Sequence, residues 1–401
     1  MERNLSIITG GPGTGKTTVL KAIIEVYRIL HPRNRIVLAA PTGKASRRMA
    51  QSTGMLEAMT LHSLLGLQGD FCSKDKQDQP LQVDFLIVDE ASMLDLQLAA
   101  SLLRALPQGC RLLLVGDPDQ LPAVGAGNLF SDLIRSGVVQ TVRLTEIFRQ
   151  AQESLIVMNA HAVNHGELPA LNVTNRDFFF LKRRTGESVV QTIQELCAAR
   201  LPKNMGIPSA EIQVLSPTRK HATGTKELNR ALQAALNPAA PGKREKQFGD
   251  FCFREGDRVM QIRNNYDIMW KRTDGLGAGT GIFNGDIGCI QSISFSEETV
   301  TVTFDDREAR YGFDMLGELE PAYAMTVHKS QGSEYRAVVL AVFDGSPYLL
   351  TRSVLYTAIT RARELLIVVG NEEVIAAMTR NDRQLRRYSG LKLRLEKGRS
   401  S

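Results

Sequence analysis

Cysteine is scarce: Cys72, Cys110, Cys197, Cys252 and Cys289 are scattered through 401 residues with no C-x-x-C spacing. That excludes the usual zinc and iron–sulfur frameworks and a disulfide-stapled scaffold. Aromatic residues are only 6% of the chain, so extensive base stacking has little to work with. Phe71, Phe130 and Tyr323 are the candidate stackers, with core packing as the alternative for each. No segment approaches the roughly 18 uninterrupted apolar residues of a membrane span, and no charged-then-apolar leader opens the chain. The expected compartment is therefore the cytoplasm, with no membrane partner. A guanine-reading N-K-x-D motif is also missing, which removes the GTPase class. Outside the C-terminal tail there is no net charge of either sign. The formal excess of +6 is carried entirely by the eight Lys and Arg from Arg380 to Arg399, set against Asp382 and Glu396. Such a run is either a solvated terminal face or a phosphate-steering tail.

What is present begins at once. Gly10-Gly11-Pro12-Gly13-Thr14-Gly15-Lys16-Thr17 matches G-x-x-x-x-G-K-[ST]. It follows Leu5 to Thr9, which reads as a buried strand, and precedes helical apolar spacing from Val19 to Leu30. The glycines let backbone N–H groups converge on phosphate oxygens, and the helix adds its positive end. Gly11, Pro12, Gly13, Thr14, Gly15, Lys16, Thr17 and Thr18 thus form the candidate ATP-binding segment, with Lys16 as a point charge and Thr17 offering a hydroxyl to Mg²⁺.

Further apolar strands run from Arg35 to Ala40, Phe85 to Val88 and Arg111 to Val115, and a second strand–helix series begins after Phe148. Alternation of this kind predicts parallel α/β sheets with sites at the carboxyl ends of the strands. At one such end stands Asp89-Glu90, the first acid supporting Mg²⁺ and the second orienting or deprotonating an attacking water. Gln120, after another apolar strand, is a candidate γ-phosphate sensor. Arg361, at a helix end, is a candidate arginine finger, with Arg149 as a second candidate. Between residues 264 and 318 the period changes to two, as in Thr299-Val300-Thr301-Val302-Thr303-Phe304, which reads as an all-β insertion.

Together with Pro41-Thr42-Gly43-Lys44, Thr60-Leu61-His62-Ser63, Gly116-Asp117-Pro118-Asp119-Gln120-Leu121-Pro122 and Thr326-Val327-His328-Lys329-Ser330-Gln331-Gly332-Ser333-Glu334, these segments resemble the RecD-like DNA helicases of superfamily 1B over almost the whole chain. The resemblance implies an α/β fold of two RecA-like P-loop lobes with an SH3-like β-barrel inserted in the second. The expected boundaries are 1–149 for the first lobe, with a hairpin at 66–82, then 150–263 and 319–401 for the second lobe around an insertion at 264–318. It implies ATP and Mg²⁺ as cofactors, and 5′→3′ movement on single-stranded DNA and on duplexes with a 5′ overhang. By residue match, Gln331, Gly332 and Glu334 join the ATP site. Pro41, Thr42, Lys44, Thr60, His62, Thr326, His328 and Lys329 fall along the DNA track. Hydroxyl, Lys and His side chains suit sequence-independent phosphate contacts. Helix capping by Thr42 and Thr60, and burial of either histidine, are the alternatives. Relatives of this kind carry an upstream helix whose glutamine reads adenine, whereas four residues precede the first strand here. Poor discrimination among nucleoside triphosphates is therefore expected, along with apolar surface left bare on the first sheet. RNA unwinding and an accessory subunit with regulatory ATPase are the competing readings.

Overall fold

The computed structural model describes residues 4–55, 58–68, 71–72, 80–173, 177–383 and 389–399. The chain forms two compact units, Met1–His165 with Asp382–Ser401, and Gly166–Asn381.

In the first unit the strands are β1 (Leu5–Gly10), β2 (Ile36–Ala40), β3 (Ala58–Thr60), a short antiparallel ladder of β4 (Leu67–Gln68) with β5 (Phe71–Cys72), β6 (Phe85–Val88), β7 (Arg111–Gly116) and β8 (Gln140–Leu144). Six of them form one sheet in the order β3-β2-β6-β7-β1-β8. Every pairing in it is parallel. Consecutive residues of a central parallel strand must be apolar because helices cover both faces. Ile7 and Ile8 are accordingly both buried, pointing into separate clusters on opposite sides of the sheet. On the helix Lys16–Leu30 the buried stripe is Leu20, Ile24 and Tyr27. Val26, Ile29 and Leu30 of the same helix are 55%, 79% and 67% exposed.

The second unit opens with β9 (Phe178–Lys182) and β10 (Ile212–Ser216), followed by the hairpin β11 (Glu245–Phe248) and β12 (Phe251–Arg254). An antiparallel set comes next: β13 (Arg258–Gln261), β14 (Asn265–Arg272), β15 (Ala278–Ile282), β16 (Ile287–Ser294), β17 (Thr299–Phe304), β18 (Arg307–Gly312) and β19 (Leu319–Pro321). These seven make one sheet, while β20 (Ala324–Thr326), β21 (Tyr335–Val342) and β22 (Ala362–Gly370) rejoin the parallel sheet in the order β20-β10-β21-β22-β9. The alternation in β17 is realised in full: Val300, Val302 and Phe304 are buried in the core of the β insertion.

Three expected boundaries are corrected. The antiparallel sheet runs from Arg258 to Pro321, wider than 264–318, because its outer strands are too short to display a period. Leu155–His165 belongs to the first unit rather than the second. So does the C-terminal segment: the helix Leu391–Arg399 sets Leu391 and Leu395 against the core of the first unit, and Ser389 Oγ donates to Asp132 Oδ2 at 2.6 Å. Of the expected hairpin at 66–82, the β4–β5 ladder is seen and residues 69–70 and 73–79 lie outside the described residues.

Candidate active site

The P-loop follows β1 and ends on the helix Lys16–Leu30, with Gly15 as its N-cap. Gly13 and Gly15 have φ of 73° and 77°. A Cβ on Gly15 would stand 2.2 Å from Phe148 Cε2, so glycine is required there by both conformation and space. Thr14 Oγ1 donates to Gly11 O at 2.8 Å, curling the loop on itself. Lys16 Nζ donates to Gly10 O at 2.6 Å and Gly11 O at 2.8 Å, so the ammonium lies over the loop and faces carbonyls that a phosphate oxygen can replace. Thr17 and Thr18 are exposed at the first turn of the helix. A short helix, Leu155–His165, packs beside the loop, and His161 Nε2 lies 3.1 Å from Pro12 O.

Asp89 and Glu90 leave β6 at the same edge, one strand over from β7 and two from β1. Asp89 Oδ1 accepts the N–H of Glu90 at 2.8 Å. Burial, together with the adjoining Glu90 charge, pushes the Asp89 carboxyl up to about 6, against the pull of Arg48 and Lys16. A divalent cation offsets both penalties, so this carboxylate fits Mg²⁺, as does the exposed hydroxyl of Thr17 in the first turn of the P-loop helix. Glu90 is buried, has φ 52° and ψ 38°, and lies 3.6 Å from Arg48 Nη2. Gln120 Nε2 donates to Asp117 Oδ2 at 3.4 Å, and Asp117 is itself buried. Arg149 starts a short helix, Arg149–Gln152, and its side chain lies outside the described residues, as does that of Phe71.

The remaining candidates sort by unit. Thr42 follows β2 and Thr60 ends β3, and each caps a helix, accepting from Ala45 N at 3.3 Å and Ser63 N at 3.1 Å. Thr326 does the same for Lys329 N at 3.4 Å. Each hydroxyl keeps its own O–H, and a capping role thus leaves a donor for a phosphate oxygen. Pro41 and Lys44 flank the Thr42 cap. His62 and His328 are half-buried, and desolvation holds both imidazoles below their ordinary value. Phe130 and Tyr323 are buried in cores, so the packing alternative holds for these two.

In the second unit, Gln331, Gly332 and Glu334 lie on the turn between β20 and β21, with Gln331 buried and Glu334 exposed. Arg361 precedes β22 and is only 2% exposed. Its guanidinium donates to Thr357 O, Ser333 O and Thr360 Oγ1 at 3.1, 3.1 and 3.2 Å. In this conformation it braces the Gln331–Glu334 turn and is not an outstretched finger. Sequence reasoning gave no role to Arg48 or His161, whose contacts no spacing displays, nor to Asp117, which stands in the same motif as Gln120.

Residues 1–126 match the AAA domain family, 228–304 the SH3 domain of ATP-dependent RecD-like DNA helicases, and 321–369 the UvrD-like helicase C-terminal domain. RecBCD enzyme subunit RecD of Mycobacterium tuberculosis is 31% identical over 99% of this chain and 71% of its own length. The chain belongs to the RecD-like DNA helicase family. Another RecD-like relative, the ATP-dependent RecD2 DNA helicase of Deinococcus radiodurans, is 36% identical over 94% of the chain, which spans 49% of that protein. Among solved structures, the Pif1 helicase of Candida albicans aligns with a TM-score of 0.54 at 18% identity, covering 99% of this chain and 95% of that one. A Bacteroides Pif1 bound to ssDNA aligns with a TM-score of 0.53 at 20% identity, covering 92% and 89%. Both likenesses concern the fold.

Proposed function

We propose that this RecD-like chain is an ATP-dependent motor that moves 5′→3′ along single-stranded DNA and opens duplexes with a 5′ overhang. The observation that carries it is the convergence of Lys16, Asp89 and Glu90 at one edge of one parallel sheet. A lysine for the phosphates, a buried carboxylate for a cation and a second acid for water are the parts that phosphoryl transfer to water needs. Lys16 exchanges its two carbonyl partners for the β- and γ-phosphates. Thr17 and Asp89 would hold Mg²⁺, which would neutralise charge on the phosphates. Glu90, kept in place by Arg48, takes the proton of the attacking water, and Gln120, set by Asp117, senses the γ-phosphate. Arg149 and Arg361 are the candidate γ-phosphate cations, Arg361 acting only after releasing its present acceptors. Gln331, Gly332 and Glu334 complete the nucleotide-binding set. Pro41, Thr42, Lys44, Thr60, His62, Thr326, His328 and Lys329 line the DNA track, which asks for contacts blind to base identity.

The deciding experiment is steady-state ATP hydrolysis with and without single-stranded DNA, beside Glu90→Gln. Loss of a general base lowers turnover by roughly 10²–10⁴, so DNA-stimulated hydrolysis is expected to fall by about that factor in the variant, with nucleotide binding kept. Polarity is read from unwinding of 5′-tailed against 3′-tailed duplexes. The relatives named RecBCD enzyme subunit RecD favour a second reading, an accessory subunit. Nucleotide and DNA binding with no turnover in the folded wild-type chain would select it.

A further inference from the structure

Two cations at the carboxyl edge of the second unit's parallel sheet share one acid. β10 and β20 run side by side and parallel, with Ser216 opposite Thr326, so the segments after them leave from the same edge. Arg219 follows β10 and Lys329 follows β20. Arg219 Nη2 lies 2.9 Å from Glu320 Oε1, and Lys329 Nζ lies 2.6 Å from Glu320 Oε2, one oxygen to each. Glu320 is anchored differently from both: its strand β19 pairs with β13 of the antiparallel sheet, Met260 opposite Glu320. The side chains of Arg219, Lys329 and Glu320 are 69%, 33% and 26% exposed, so the cluster lies at water.

A phosphodiester has the same valence as this carboxylate, one negative charge shared by two oxygens that accept from two donors. We propose that Glu320 is an internal stand-in for a nucleic-acid backbone phosphate. With no strand bound it holds Arg219 and Lys329 at a separation that suits one phosphate, and a strand phosphate then takes both cations in its place. The exchange is nearly balanced, because exposed ion pairs are worth little in water, and its effect is to weaken the grip and make it reversible. The inference rests on the proposed nucleic-acid reading of Lys329.

The test is fluorescence anisotropy of a labelled oligodeoxythymidylate, titrated with wild type and Glu320→Gln over a series of salt concentrations. The variant is expected to bind roughly two- to fivefold tighter at low salt, the range that releasing exposed ion pairs gives. Its plot of log K against log salt should steepen by about 0.7, the single-strand value for one added phosphate. Adding Arg219→Gln should remove about half of the gain, since one of the two released cations is lost. Equal or weaker binding by the variant, with an unchanged thermal unfolding curve, overturns the stand-in role. Should the glutamine variant unfold, Glu320→Ala is judged by the same criterion. No binding by wild type overturns the nucleic-acid reading itself, a failure visible before any variant is measured.

Discussion

Glu90 combines three costs in one residue: left-handed backbone, near-complete burial and a charge next to Asp89. A non-glycine residue in that conformation costs about 1–3 kcal/mol, and Arg48 Nη2 stands 3.6 Å from its carboxylate. A residue kept for stability alone would relax to a cheaper choice, so the strain counts towards a role in chemistry. The two half-buried histidines lead to a pH effect whose sign is fixed. Desolvation lowers the folded values of His62 and His328 below 6.5. Between those values and 6.5 the unfolded chain binds protons that the folded chain does not, so stability rises with pH there and is lost as pH falls below about 6.5. Thermal unfolding at pH 7.5 and 5.5 is expected to show that loss in wild type and a smaller one in His62→Gln. At this scale the chemistry was legible wherever it is contiguous, as in Lys16-Thr17 and Asp89-Glu90. It was not legible in Arg48, His161 or Glu320, because their ion pairs and the His161 contact with Pro12 O are set by tertiary distance and leave no spacing in the chain.

Elements were readable in proportion to their burial. β6 and β21 are continuous apolar runs because both faces are covered, and they stand out in the sequence. β8, Gln140–Leu144, closes one edge of the first sheet with mostly exposed or half-exposed residues, so its polar sequence hides it. The helix Gly186–Glu195 passes into a π-helical turn at Leu196–Arg200, a local widening that propensity does not signal. The helix Leu391–Arg399 was hidden by its charge, since its basic residues read as a tail while Leu391 and Leu395 do the packing. Full burial of leucine is worth 2–5 kcal/mol against alanine, so at these half-buried positions each Leu→Ala change should cost about 1–2 kcal/mol. Urea unfolding of Leu391→Ala and Leu395→Ala, followed by a signal from the first unit, measures it.

Across the whole molecule, the P-loop and its acids belong to one unit and the Arg361 turn to the other. Two units of this size need not unfold together. A ligand at a hundred times its dissociation constant stabilises the state that binds it by about 2.7 kcal/mol. Calorimetry with Mg²⁺ and a non-hydrolysable ATP analogue is therefore expected to raise the transition of the first unit, and Lys16→Ala to abolish the rise. An upward shift confined to the second unit would misplace the nucleotide.

The first unit is also discontinuous, leaving off at His165 and resuming at Asp382. Synthesis proceeds from the amino end, and domains tend to fold as they emerge. The inserted unit, Gly166–Asn381, is therefore synthesised before the helix that covers part of the earlier core. The layer that seals the nucleotide-binding unit is thus made after the whole of the inserted unit, and until that helix docks the phosphate loop stands on a core that lacks a layer.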